Sequence, residues 1–210
     1  MCLAIYKPKN KSVPLEYLKH AKTVNPDGIG IAYSDRQGLH VYKTLDKIDT
    51  MIDIIDKNLK NFDLLIHFRY ATKGFIEKDN CHPFLSDKKN LALVHNGTFY
   101  EFGSSEKSDT KEFCEKLVFP IFAKTGYSKG FLNLMEHFAQ DQRLATIDHN
   151  GKVIVYCPQN WIVREGIYYS NSYSLPFGES KKRKNKDPFY FSDNDFYKDW
   201  EEEYFLSKNK

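Results

Sequence analysis

Cysteine is scarce and scattered: Cys2, Cys81, Cys114 and Cys157 form no Cys-x-x-Cys pair, which speaks against a zinc cluster and against a disulfide framework. Cys81, Cys114 and Cys157 are expected to pack as small apolar residues. An excess of one charge is also missing, since 31 Lys and Arg against 28 Asp and Glu leave +3. No global field therefore draws the chain to nucleic acid or anionic lipid. No apolar run approaches the roughly 18–20 residues that span a bilayer. The first ten residues lack the basic start and long apolar core of a signal peptide, so a cytoplasmic protein without membrane association is expected. What is present is a globular composition, with 41% hydrophobic and 15% aromatic residues in 210. That excludes wholesale disorder and suits one domain with, at most, an appendage.

Patterning predicts the elements. Cys2 to Tyr6 is an apolar run closed by Pro8 and reads as a strand starting at the N-terminus. Leu15, Leu18 and Ala21 form a short helix that ends before Asn25-Pro26-Asp27-Gly28. Residues 28–34 and 39–44 form a hairpin about Asp35 to Gly38, and no helix follows Gly28-Ile29-Gly30, which excludes a dinucleotide fingerprint. Leu45, Ile48, Met51, Ile52, Ile55 and Leu59 give an amphipathic helix. A strand at 64–69 leads through a loop over 71–90, long enough to suggest function, into the strand 91–95. Asp109 is expected to cap a helix carrying Phe113, Leu117, Ile121 and Phe122, which Pro120 should bend or break. A further helix over 131–138 and hairpins about His149-Asn150-Gly151 and Glu165-Gly166 complete the set. Hairpins bracketing a helical middle indicate an α+β layered domain.

Few residues carry chemistry unambiguously. Cys2 becomes N-terminal if Met1 is removed, and one residue then holds both a thiol and an α-amine able to act as its base. Asn96-Gly97 after the strand 91–95 reads either as a tight turn or as a side-chain and a backbone N–H converging on an oxyanion. Arg69 at a strand end is either a solvated charge or a fork for a carboxylate. Asp109 is either a helix cap or a partner for an ammonium.

The order of these residues resembles that of the class II glutamine amidotransferases, glutaminases with an N-terminal nucleophilic cysteine. The resemblance rests on Met1-Cys2, Asn25-Pro26-Asp27-Gly28, His67-Phe68-Arg69-Tyr70-Ala71-Thr72-Lys73-Gly74, His82-Pro83-Phe84, Val94-His95-Asn96-Gly97 and Ser108-Asp109-Thr110. Residues 166–171, Gly-Ile-Tyr-Tyr-Ser-Asn, look like the closing strands of such a domain, which would span 1–175. The resemblance implies a four-layer αββα sandwich of the N-terminal nucleophile hydrolase type. It further implies Cys2 as nucleophile, Asn96 and Gly97 as oxyanion hole, Arg69 on the α-carboxylate and Asp109 on the α-ammonium of glutamine. Thr72 and His82 would shape the substrate loop, with no metal or cofactor. Leu3, Lys73 and Lys111 depart from residues common in the family, and none of these changes removes a catalytic group.

Family members usually carry a fused synthetase, so a separate ammonia-accepting synthetase is the expected partner. Alternatives are cleavage of another γ-glutamyl amide by the same thiol, or a silent interaction module with this fold. Residues 176–210 form a distinct tail: a basic run, Lys181-Lys182-Arg183-Lys184, precedes an acidic and aromatic stretch from Asp193 to Phe205. The tail is expected either to fold back on the domain or to dock the missing partner.

Overall fold

A computed structural model describes residues 2–176 of the chain. The features expected of the tail, from the basic run onward, lie outside the described residues. Among the described residues ten strands form two antiparallel sheets. The first contains β1 (Leu3–Lys7), β2 (Ile29–Asp35), β3 (Gly38–Thr44), β4 (Leu64–Phe68), β9 (Ile162–Arg164) and β10 (Ile167–Tyr169), in the spatial order β3-β2-β4-β1-β10-β9. The second contains β5 (Phe84–Leu85), β6 (Leu91–Asn96), β7 (Arg143–Asp148) and β8 (Val153–Val155), in that order. Helices α1 (Leu15–Val24) and α2 (Ile48–Asn58) cover the first sheet, and α3 (Asp109–Phe113), α4 (Phe119–Thr125) and α5 (Lys129–Ala139) cover the second.

The alternation of side chains along each strand divides the apolar residues into three layers. Leu3, Ile5, Ile29, Ile31, Leu64, Ile66 and Phe68 face α1 and α2, which contribute Leu18, Ile48, Ile52 and Ile55. Leu91, Leu93 and Leu144 face the other helices, meeting Phe113, Phe131 and Met135. Between the sheets lie Ala4, Ala32, Leu65, Ala92, Val94, Ala145 and Ile147. Four alanines in that middle layer let the two backbones approach closely. The result is the helix–sheet–sheet–helix sandwich that the α+β reading and the family resemblance predicted.

Two local expectations are corrected. Ser108, not Asp109, caps α3: its side chain accepts from Lys111 N–H, and Asp109 is the first helical residue. Pro120 does not break its helix. The chain passes from α3 to α4 through a π-helical turn at Cys114–Val118, closed by Phe119 N–H donating to Cys114 O. Widening the turn just before Pro120, which has no N–H to give, accommodates the ring without ending the helix.

The outer end of β1 is held by Lys7. Its side chain is buried, and Nζ donates to the carbonyls of Phe62 (2.7 Å), Lys60 (2.9 Å), Pro8 (3.2 Å) and Lys11 (3.3 Å). One ammonium thus ties the chain leaving β1 to the segment entering β4. Lys7→Met retains the apolar stem and strands four carbonyls, and should lower stability by about 2–4 kcal/mol. The urea midpoint of the full chain measures this; an unchanged midpoint would refute the role given to Lys7.

Candidate active site

The site forms where β1, β4, β6 and β10 end together. β1 lies between β4 and β10, with Leu3 opposite Phe68 and Ile5 opposite Tyr169. One step beyond the Leu3–Phe68 pair, Cys2 reaches Tyr70: its thiol donates to Tyr70 O and accepts from Tyr70 N–H, each at 3.3 Å. Parity places Cys2 on the same face as Ala4, between the sheets. Burial pushes the Cys2 thiol above its ordinary pKa, against the lowering effect of the Tyr70 backbone contact and of Arg69. A thiol so placed is a protonated group near neutrality and needs a base to become a nucleophile.

Arg69 follows Phe68 out of β4 and is almost fully buried. Its Nη2 donates to Lys73 O at 3.2 Å and Gly74 O at 3.4 Å, while Nη1 is buried without a partner. A buried guanidinium nitrogen without an acceptor is costly unless an anionic ligand completes it. The Asn25-Pro26-Asp27-Gly28 turn frames this arginine. Gly28 O accepts from Arg69 N–H at 2.8 Å, Arg69 O accepts from Asp27 N–H at 3.1 Å, and Asp27 Oδ2 accepts from Ala71 N–H at 2.8 Å. Gly28 adopts φ 135°, and a Cβ there would stand 2.8 Å from Cys81 Sγ, so backbone conformation and space both require glycine.

Asn96 ends β6 on the inter-sheet face. Its Nδ2 donates to Ser170 Oγ at 2.8 Å, which leaves one amide hydrogen for a further acceptor. A Cβ at Gly97 would overlap Gln142 Oε1 and displace the Gln142 amide. That same Oε1 accepts from Thr98 N–H at 3.0 Å, and Gln142 Nε2 donates to Thr98 O at 3.2 Å, so Gln142 clamps the turn that follows Asn96.

Asp109 is buried at the start of α3. Its Oδ2 accepts from Phe99 N–H at 2.7 Å and its Oδ1 from Thr110 N–H at 2.8 Å, leaving lone pairs for a cation. Asn80, fully buried, joins this region to the Arg69 loop. It donates to Phe75 O at 3.3 Å and Glu106 O at 2.7 Å and accepts from Ser108 N–H at 2.9 Å. Thr72 is exposed on the same loop. His82 is instead buried behind it, its ring centroid 4.1 Å from that of His67 and 4.5 Å from that of Phe84. Cys2 is thus bonded to the residue after Arg69, Asn96 is joined to the strand after Cys2 through Ser170, and Ser108, next to Asp109, is joined to the Arg69 loop through Asn80, while Thr72 lies exposed on that loop and His82 packs on His67.

The sequence reading missed Asn80, Gln142, Ser170 and Asn171. Single Asn, Gln and Ser residues in loops and at strand ends carry no periodic signal, and only Ser170 and Asn171 fell within a noted motif.

Three histidines, His67, His82 and His95, are buried in a row beside the site. Burial pushes His67 down to about 3 and His82 well below its ordinary value, and it pushes His95 to about 4 despite the nearby Asp109 carboxylate. All three are therefore neutral in the folded protein and add no charge near Arg69.

The chain matches the family model described as class-II glutamine amidotransferases over residues 7–158, a stretch that contains Arg69, Thr72, His82, Asn96, Gly97 and Asp109 but not Cys2. Among curated relatives, the glutamine–fructose-6-phosphate aminotransferase (isomerizing) of Bacillus licheniformis is 27% identical over 71% of this chain and 27% of its own length. That of Helicobacter pylori is 36% identical over 47% of this chain and 17% of its own. The chain thus spans about a quarter or less of these proteins. A solved structure described as the allosteric regulatory enzyme of purine biosynthesis superposes with a TM-score of 0.51 at 16% identity, covering 83% of this chain and 42% of that one. It shares the fold. Among the described residues no helix is long and apolar enough to cross a membrane.

The neutral histidines have a consequence for folding. In the unfolded chain they titrate near 6.5, so below that pH the unfolded state binds more protons than the folded one, and stability falls as pH falls. Between pH 7.5 and 5.5 the loss should be roughly 1 kcal/mol per histidine, and His82→Gln should make the dependence shallower. Guanidinium midpoints at the two pH values measure it; equal midpoints for the unmodified protein would contradict the assignment.

Proposed function

Because the chain belongs to the class II glutamine amidotransferases, we propose that it hydrolyses the side-chain amide of glutamine through the Cys2 thiol. The observation that carries this reading is the linkage of three groups from two sheets. A thiol just before β1 is hydrogen-bonded to Tyr70, the residue after Arg69, whose guanidinium is buried with an unpaired nitrogen, and an amide donor at the end of β6 is joined to β1 through Ser170. These are the needs of acyl transfer from a zwitterionic amino acid: a nucleophile, an oxyanion donor and a carboxylate grip.

In the proposed reaction Met1 is first removed, leaving the Cys2 α-amine free. With an ordinary pKa of about 8, that amine takes the thiol proton that burial holds in place. Sulfur then bonds to the amide carbon of glutamine, and the negative charge on oxygen is met by Asn96 Nδ2–H and Gly97 N–H. The amine returns its proton to the amide nitrogen, the C–N bond breaks and ammonia leaves. Water attacks the resulting thioester through a second oxyanion, giving glutamate and restoring the thiol. Arg69 Nη1 binds the α-carboxylate, and the free lone pairs of Asp109 bind the α-ammonium. Thr72, exposed on the loop, and His82 behind it shape the entrance. Ammonia passes to an acceptor activity, which we assign to a separate synthetase; the named relatives are aminotransferases that match this chain over only part of their length.

Four variants probe the reading. Cys2→Ala should abolish release of glutamate and ammonia from glutamine, while Cys157→Ala retains it. A diazo-ketone analogue of glutamine should label Cys2, as mapped by mass spectrometry; labelling confined to another cysteine would overturn the assignment. Arg69→Ala and Asp109→Asn each break a charged contact in a desolvated site, and each should lower kcat/KM by roughly 30-fold to several thousand-fold. Steady-state ammonia release measures this, and unchanged values in both variants would remove the amino-acid pocket.

A further inference from the structure

Two adjacent residues just after β10, Ser170 and Asn171, are hydrogen-bonded to Asn96 and to Cys2. Ser170 is buried and is bound to Ala4 twice. Its N–H donates to Ala4 O at 2.9 Å, and its Oγ accepts from Ala4 N–H at 2.9 Å. The second lone pair of that Oγ accepts from Asn96 Nδ2. One hydroxyl therefore connects the strand that carries Cys2 to the strand of the other sheet that carries Asn96. Asn171 donates from Nδ2 to Cys2 O at 2.6 Å and accepts at Oδ1 from Ser174 N–H at 3.2 Å. Ser174 Oγ in turn accepts from Asn25 Nδ2 at 3.0 Å, at the head of the turn that frames Arg69.

We propose that Ser170 and Asn171 are positioning residues that set the separation of nucleophile and oxyanion hole. Ser170 fixes the rotation of the Asn96 amide, and Asn171 fixes the backbone of Cys2. This rests on the roles given above to Cys2 and Asn96. The physical ground is the position of the Ser170–Asn96 bond. It joins two sheets whose middle layer is built largely of Ala, Val, Leu and Ile side chains, and apolar packing there cannot choose the orientation of an amide, whereas a hydrogen bond to an anchored hydroxyl does. An oxyanion donor acts on charge that exists only in the transition state. Loss of its orientation therefore lowers kcat and leaves KM nearly unchanged.

The experiment uses the full chain with glutamine as substrate and iodoacetamide as a small neutral probe of the Cys2 thiol. Ser170→Ala should lower kcat about 10- to 100-fold with KM and the rate of Cys2 alkylation retained, because alkylation forms no oxyanion. Ser170→Thr, which keeps the oxygen, should recover most of kcat. Asn171→Ala should slow alkylation as well as turnover. A further readout does not depend on turnover: the side-chain amide protons of Asn96, followed by NMR, should exchange faster in Ser170→Ala than in the unmodified protein or Ser170→Thr. Unchanged kcat together with unchanged amide exchange in Ser170→Ala overturns the proposal. So does an equal loss of kcat in the Ala and Thr variants accompanied by a fall in melting temperature, which would mark Ser170 as packing alone. If Cys2→Ala hydrolyses glutamine normally, the glutaminase reading fails, and the amide-exchange comparison still decides whether Ser170 orients Asn96.

Discussion

The register of β1 governs everything near the site. This five-residue strand is hydrogen-bonded on both sides, to β4 over its whole length and to β10 at Ile5 and Tyr6. A slip of one residue would turn Ala4 toward the helices and Leu3 and Ile5 into the narrow space between the sheets. It would also carry Cys2 away from Tyr70 and from the face it shares with Ala4. The register is held by the large apolar residues that α1 and α2 demand on one face, by the small residue that the opposing sheet demands on the other, and by Lys7, whose carbonyl contacts pin the far end.

Close approach of the sheets is the second constraint, and it explains the glycines. Gly30 lies directly across β4 from His67, and a Cβ there would overlap the carbonyl oxygen of His82. The 81–83 segment therefore threads against bare backbone. Gly97 leaves the space filled by Gln142 Oε1, and a Cβ at Gly74 would stand 2.7 Å from Ser108 N. Each of these glycines gives up a side chain so that a segment distant in sequence can bring a polar group to the same place. Asn80 and Gln142 then fix those segments with directional bonds that apolar packing does not supply.

Charge in the site is sparse. The three buried histidines are neutral, the Cys2 thiol is protonated, and Arg69 presents a nitrogen without an acceptor. Burying an unpaired guanidinium nitrogen is unfavourable for the protein alone. In the proposed reaction the α-carboxylate of the substrate completes it.

The sequence by itself determined the layers and the candidates. Unbroken apolar runs opening 64–69 and 91–95 specified strands, the 3.6-residue pattern specified α2, and the order of short motifs picked out Cys2, Arg69, Thr72, His82, Asn96, Gly97 and Asp109. Those signals are legible because periodicity and local motifs are properties of neighbouring residues. Only the tertiary structure decided that Ser108 caps α3 in place of Asp109, that a π turn absorbs Pro120, and that His82 is buried against His67. It also decided that Ser170 meets Asn96 across 74 positions and that Asn171 meets Cys2 across 169. Such contacts depend on how two sheets stack, and the orientation of a single hydroxyl or amide in that stack leaves no trace in the order of residues around it.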